Sequence, residues 1–593
     1  MQSSVESTAQ HAKNLHAWIN ATKIQVVAVL LIPVLFVVYR YNVTPSSIRQ
    51  PWSLSGDILS AYSFSQSSFH GFLGFSSPIY GAPKFLDYRY DTFDFLNAAL
   101  LVTLRSISDN PFLAVNLFYL LTFPLSAATF YLVARALRID SWIGAALAIV
   151  YALLPYHFYR FHQGHVSLAG YYLLPLGVLS ILRVCELITP SGSPTHNELR
   201  KVIGYFLINV LVGSSVAYYA LFLSCLSVLI QLVYVIKFRQ LQIKTALFMF
   251  ISTVGFVVVP ASMHLLAPSQ RFPISRQADG SLDFGGSITS LLVPWSRMIP
   301  DNLLDALSPA PRQLEWVGLS IISFVGILSM FLTTKRSPKI FAVQLTCLTT
   351  IILISVLFYL KGGLGYIFAR YVNADFRAWN RFSIIIETAA LLGLGLVIST
   401  RSRTLRMRLL LLGTLAFACS FGTLSKLQAI GVESPPSSST QSLIDDLEAF
   451  SVTLHNHLDE GCSILVLPTL LYPEGGIVND VYSGDHFRLG LFNPQFHWSY
   501  GASKFSEDGR FWENAYNPNL GEGVGEEVGR FWENAYNPNL VEGASEIRLA
   551  KQLGFCAVVF DSRADLGQSK MDGAVFPDGS ELYDLVLFTN ESL

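Results

Sequence analysis

Four groups of side chains in this sequence have types and spacings that could do chemistry. The first is Asp57, in Leu54-Ser55-Gly56-Asp57-Ile58. A positioned, partly desolvated carboxylate there could act as general base on a hydroxyl. Aspartate is also a favoured N-cap, so the same residue could simply begin the next helix. The second group is the acidic cluster Asp87, Asp91 and Asp94, within Phe85–Asp94. Clustered carboxylates suit Mg or Mn; the competing reading is a loop ending in a cap for a helix near 94–105. The third is Arg160, His162 and His165, crowded into Tyr159–His165. An arginine fork binds phosphate oxygens in bidentate fashion, and histidine binds phosphate or carries protons. The three-residue histidine spacing fits one helix face and leaves a metal pair open. Snorkelling to a membrane interface accounts for Arg160 but less well for two histidines. The fourth is Arg377 and Arg381 flanking Trp379 in Asp375–Phe382. Two arginines could hold a phosphate or pyrophosphate, with the indole for a sugar face; an interfacial aromatic belt is the other reading. Arg271, Arg276 and Glu315 are weaker candidates of the same kind.

The elements that must position these residues are apolar helices. Only 14% of the 593 residues are charged, against about 25% in ordinary soluble proteins, and 52% are hydrophobic. The net charge of −1 gives no bulk electrostatic case for a nucleic-acid partner. A spanning helix needs roughly 20 apolar residues. The sequence predicts about eleven, near 24–41, 111–134, 141–158, 166–184, 202–214, 217–236, 246–266, 315–333, 340–360, 382–399 and 408–425. The break Gly213-Ser214-Ser215 separates the fifth from the sixth. The first run lacks a small-residue cleavage site and reads as an uncleaved span. With the N-terminus in the cytoplasm, every inner loop carries at least two basic residues, among them Arg135 and Arg138, Arg200 and Lys201, and Lys335 and Arg336. The odd count puts the C-terminus outside, and the four chemical groups then gather on the outer face.

The predicted architecture is an all-α polytopic membrane domain, 1–425, followed by a soluble α/β domain, 426–593. After the linker Pro435–Ser439, Leu443, Leu447 and Phe450 have helical spacing within 440–457, and Ser463–Leu467, Ala557–Phe560 and Leu585–Phe588 have strand character. Residues 509–528 and 529–548 form a tandem repeat whose first twelve letters are identical. Two copies are too few for a solenoid, so the favoured reading is an extended surface loop, with a doubled aromatic sugar site as the other. Cys462 and Cys556 each precede a predicted strand, and a disulfide between them suits an oxidising compartment. No cysteine pair has metal-ligand spacing. No metal ligands are assigned, and a divalent cation (Mg or Mn) is the one cofactor left open.

Taken together, the sequence resembles the bacterial membrane glycosyltransferases of the GT-C superfamily, which use lipid-phosphate-linked sugars. The resemblance rests on Gly56-Asp57, on Gly81-Ala82-Pro83 with the acidic residues after it, on Leu154-Pro155-Tyr156-His157 through Arg160 and His165, and on Arg377 to Arg381. Leu465–Pro468, Tyr472–Glu474 and Trp498–Ala502 look like the exported domain of uncharacterised relatives. The resemblance implies an outward cavity under the first outer loop, with Asp57 matching the essential aspartate. Several relatives carry a second acid beside that aspartate, where this chain has Ile58. It implies an inverting transferase in the bacterial cytoplasmic membrane that moves a sugar from a polyprenyl-phosphate donor to an envelope glycan, lipid or protein. Arg160, His162, His165, Arg377 and Arg381 would then serve the donor phosphate, and Asp87, Asp91, Trp379 and Glu315 the acceptor or sugar. The alternatives are a transporter or flippase for lipid-linked glycans, or a non-catalytic envelope assembly protein. The spans show no internal repeat, and the polar residues gather at one face rather than mid-bilayer, which favours the enzyme.

Overall fold

The computed structural model of the chain describes residues 23–67, 76–83, 85–88, 94–188, 196–238, 243–266, 277–292, 319–333, 339–401, 435–467, 477–478, 481–482, 484–500, 554–561 and 585–589. The predicted span 408–425, Asp91, Arg271, Arg276, Glu315 and both repeat copies lie outside the described residues, as does the side chain of Asp87.

The described chain is mostly helical. Seven helices are long and apolar enough to cross a membrane: Lys23–Arg40, Pro111–Ala136, Ser141–His162, Val166–Glu186, Ala217–Ile236, Phe341–Tyr359 and Trp379–Thr400. Only helices and closed barrels satisfy their backbone groups within lipid. Helices at His196–Gly213, Ile243–Leu266 and Ile321–Thr333 fall where three more spans are predicted, and lie outside that set of seven. The helix ends are written in the local sequence. Asn110 accepts from the Leu113 amide at 2.8 Å and Pro111 takes the first turn. Asp140 accepts from the Trp142 amide at 3.1 Å. At the opposite ends, Arg135 donates to the Ile139 carbonyl at 2.8 Å, and Arg183 to the Ala136 carbonyl at 2.6 Å. Arg135, one of the basic residues that fix the predicted orientation, and Arg183 therefore hold carbonyls at or just past a helix C-terminus, where positive charge is favoured.

The break between His196–Gly213 and Ala217–Phe238 is closed from a distant segment. The Leu96 amide donates to the Ser214 carbonyl at 2.8 Å, and the Asn97 side-chain amide to the Ser215 carbonyl at 2.8 Å. Asp94 accepts from the Ala217 amide at 3.0 Å. Asp94 does stand at the N-cap of the helix Phe95–Arg105, yet it makes no side-chain cap there. It caps a different helix, 123 residues away.

Near the C-terminus, Ser437 caps the helix Ser438–His457 by accepting from the Thr440 amide at 3.2 Å. A four-stranded sheet follows, in the order His497–Trp498, Ser463–Leu467, Ala557–Asp561, Leu585–Thr589; the last pairing is antiparallel and the others parallel. Cys462 and Cys556 form a disulfide beside the central pair. Ile444, Leu447, Phe450 and Leu454 bury one face of the helix in an apolar cluster that also holds Ile464, Val466 and Val559. The same apolar cluster contains Tyr62, Tyr80, Tyr119 and Phe161, so the core crosses the compositional boundary at 426. A backbone ladder joins the two parts. Gly81 donates to the Tyr500 carbonyl, Ala82 to that of Trp498, and Trp498 to that of Ile79, at 2.7–3.0 Å. Each aromatic ring buried at this junction contributes roughly 1.5–3 kcal/mol.

Candidate functional site

The local sequence around Pro155 builds the first half of the site. Proline presets the first turn of the helix Pro155–His162. The helix ends on Gly164 in the left-handed region, φ +77°. The Gly164 amide donates to the Phe161 carbonyl and the His165 amide to the Arg160 carbonyl, both at 2.8 Å. This is the paired C-terminal closure that a left-handed glycine permits. It folds His165 back beside Arg160. Gly164 also lies against the turn that carries Asp57: a Cβ there would come within 2.7 Å of the Asp57 amide nitrogen. Only glycine allows that approach, and it brings His165 Nε2 to 3.2 Å from Asp57 Oδ2. Asp57 immediately precedes the helix Ile58–Ser67, so it occupies a cap position while its half-exposed carboxylate faces an imidazole.

Arg160 is fully buried, with its guanidinium carbon 4.8 Å from the centre of the Tyr156 ring one turn earlier. The Tyr156 hydroxyl lies 3.0 Å from that of Tyr219, which donates to the Leu168 carbonyl at 2.6 Å. Arg381 lies with its guanidinium carbon 4.4 Å from the neighbouring Tyr218 ring. Arg160 thus reaches Tyr219 through Tyr156, while Arg381 lies on the adjacent Tyr218. The pair Tyr218-Tyr219 opens the helix that follows the glycine-serine break, and Asp94 caps that helix. Part of the Asp94 residue surface stays open, but its carboxyl is enclosed. Burial raises it from its ordinary 3.8 to about 6, against the opposing pull of the Ala217 amide, the Ser167 hydroxyl and the charge of Arg381. Two cations and one reluctant anion thus surround a pair of tyrosines, a few residues from the Asp57–His165 contact. Charge-assisted bonds from such arginines are the strong kind that an anionic phosphate takes.

The other predicted site residues are placed elsewhere. His162, at the end of its helix, is exposed while Arg160 is buried. Arg377 sits over the Phe284 ring at 4.9 Å, so the two arginines flanking Trp379 serve different neighbours. Trp379 is 1% exposed, packed among Phe222, Phe358, Phe368 and Phe382. Its ring faces are taken, which corrects the sugar-stacking expectation. Asp87 has its backbone in a two-residue strand paired with Ser76–Ser77. Among the described residues no three His, Cys, Asp or Glu gather closely enough to hold a metal. Asp94, read as part of a cation-binding acidic cluster or as a cap for its own helix, instead bonds the Ala217 amide; the members that sequence reasoning missed are Tyr156, Tyr218 and Tyr219. The one signal for the tyrosines is their position beside Pro155 and just after the Gly213–Ser215 break.

Among solved structures, the chain is similar to the archaeal oligosaccharyltransferase AglB from Archaeoglobus fulgidus in complex with an inhibitory peptide and a dolichol-phosphate. The identity is 13%, the match covers 91% of this chain and 69% of that one, and the TM-score is 0.51. The apo form of the Archaeoglobus fulgidus oligosaccharyltransferase matches at 13% identity over 90% of this chain and 69% of that one, TM-score 0.50. These likenesses show the fold, which is that of the GT-C glycosyltransferases. No curated protein matches by sequence. The model of the domain of unknown function DUF6311 matches residues 96–419, a stretch that holds Arg160, His165, Tyr219 and Arg381 and takes in more than half of the sequence. The chain is a multi-pass membrane protein of GT-C fold, and it belongs to the DUF6311 family.

Proposed function

We propose that this protein is a membrane glycosyltransferase that moves a sugar from a polyprenyl-phosphate donor to an envelope glycan, lipid or protein. The carrying observation is the gathering of Arg160, Arg381 and Asp94 around Tyr218 and Tyr219, beside the Asp57–His165 contact. In this reading Asp57 takes the proton from the acceptor hydroxyl. With Nε2 protonated, His165 donates to one carboxylate oxygen and leaves the other for the acceptor. The two arginines hold the donor phosphate and stabilise charge as the sugar–phosphate bond breaks. Attack from the side opposite the phosphate inverts the anomeric centre.

The solved Archaeoglobus fulgidus structure with dolichol-phosphate supports a lipid-phosphate ligand on this fold. The Cys462–Cys556 disulfide supports an oxidising compartment for the C-terminal part. The proposal therefore includes eleven spans, a cytoplasmic N-terminus, an exported C-terminal α/β region and the bacterial cytoplasmic membrane. Asp57 and His165 are two possible metal ligands, and among the described residues no third His, Cys, Asp or Glu joins them.

The donor half of the proposal has a direct test. Purified protein in nanodiscs should bind a polyprenyl phosphate, and Arg381→Ala should weaken that binding about 10–100-fold, the worth of a lost charge-assisted bond. Arg377→Ala, whose guanidinium stacks on Phe284, should change it less than about 3-fold. Equal effects from the two variants would contradict the assignment of the phosphate to Arg381.

A further inference from the structure

The first outer loop presents Ser55, Gly56 and Asp57 as three consecutive exposed residues. On the C-terminal side of this turn, Ile58 and Leu59 are fully buried and anchor the next helix. On the N-terminal side the anchor comes from a segment more than 400 residues away. Arg488, in the helix Phe487–Phe492, donates through Nε to the Leu54 carbonyl at 2.6 Å. Its Nη2 lies 2.6 Å from Asp485 Oδ1. Asp485 in turn accepts from the Tyr482 amide at 3.3 Å. Arg488 and Asp485 are 6% and 3% exposed. A guanidinium that is both buried and fixed by a carboxylate holds its remaining donors in one direction, and here one of them meets a backbone carbonyl three residues before Asp57.

The helix bearing Arg488 is itself fastened to the same loop region. Tyr80 donates to the Phe487 carbonyl at 2.9 Å, and Gln66 to the Leu491 carbonyl at 3.2 Å. Gly490 lies so close to Tyr80 that a Cβ would enter the ring. Gln66 lies in the last turn of the helix Ile58–Ser67 and Tyr80 beyond it; Leu54 lies at the root of the turn carrying the carboxylate.

From this geometry we infer that Arg488 is a positioning residue for Asp57: the C-terminal region sets where the outer-loop carboxylate stands through the Arg488–Leu54 bond. The inference rests on the glycosyltransferase reading for what Asp57 does, but the tether itself does not. Misplacing a catalytic group by about 1 Å costs on the order of 10²-fold in turnover, so a bond at the base of a three-residue exposed turn matters for rate out of proportion to its share of stability.

The test uses full-length protein in nanodiscs and two variants. Asp485→Asn/Arg488→Met removes both buried charges together, so neither is left uncompensated, and keeps side-chain volume without a donor for Leu54. Arg488→Lys keeps the charge but gives one ammonium the choice of Asp485 or Leu54. Hydrogen exchange is read at amides 55–60, with strands 463–467 and 557–561 as controls, together with kcat and KM for sugar transfer. The double variant should exchange at least about 10-fold faster at 55–60 with the strands unchanged. Its kcat should fall about 10–100-fold with donor KM within about 3-fold of wild type, and Arg488→Lys should fall between it and wild type in both readings. Wild-type exchange at 55–60 in the double variant overturns the tether. Faster exchange there with unchanged kcat overturns the positioning role. Loss of strand protection in both variants also overturns it, leaving Arg488 a purely structural part. If wild-type protein transfers no sugar, the functional reading has failed, and the exchange data alone still decide the tether.

Discussion

Replacing Asp57 with Asn should leave abundance and membrane insertion near normal and lower sugar transfer by about 10²–10⁴, the usual worth of general-base catalysis. The substitution separates the two roles its position allows. Asn has nearly the same shape and still caps a helix, so the start of Ile58–Ser67 should survive. It cannot usefully accept a proton. The carboxylate is half-exposed and pairs with His165 at 3.2 Å, so its removal leaves no deeply buried charge and should cost little stability. A drop in rate at constant protein level then belongs to chemistry rather than folding. A variant that transfers sugar at the wild-type rate would reduce Asp57 to a cap.

Asp94→Asn should uncouple stability from pH and, in the same protein, impair donor use. The carboxyl is raised from 3.8 to about 6, chiefly by burial. Its proton is therefore held more tightly in the folded than in the unfolded state. The associated stability is fully present below about pH 4 and is lost as pH rises through about 6; two pH units correspond to about 3 kcal/mol. Asn pays no such penalty and can still accept from the Ala217 amide through its oxygen. The variant's stability relative to wild type should therefore grow by up to about 3 kcal/mol between pH 4 and pH 7, read from unfolding in detergent. Above pH 6 the ionised Asp94 also acts on Arg381, so its loss should weaken donor use by roughly 3–10-fold. A buried charge kept at this cost fits a site in which stability is given up for function. A stability difference that stays flat from pH 4 to 7 would contradict the account of Asp94.

The membrane class was legible because it depends on composition and on apolar run length alone. So was the helix Ser438–His457, where the serine cap and the spacing of Leu447 and Phe450 are local signals. The types of Asp57, Arg160, His165 and Arg381 marked them as candidates, and Pro155 and Gly164 mark the ends of the helix between them. Their partners were not legible, because partners are set by tertiary contacts. Asp94 caps a helix 123 residues away. Trp379 and Arg381 are two positions apart, yet one is enclosed by phenylalanines while the other meets Tyr218. Arg488 reaches Leu54 across 434 residues. Helical periodicity says which residues share a face; it does not say what that face meets.

In the proposed reaction, sugar leaves a lipid phosphate and is joined to an acceptor on the outer face. The most direct measurement follows label from a polyprenyl-phosphate sugar in sealed vesicles bearing either wild-type protein or Asp57→Asn, with envelope acceptors supplied on the side of the C-terminal region. The account predicts that label moves into the acceptor with wild-type protein and that the variant is slower by about 10²–10⁴. Label that crosses the bilayer while still attached to its lipid, at the same rate in both preparations and without entering any acceptor, would contradict it and describe a flippase.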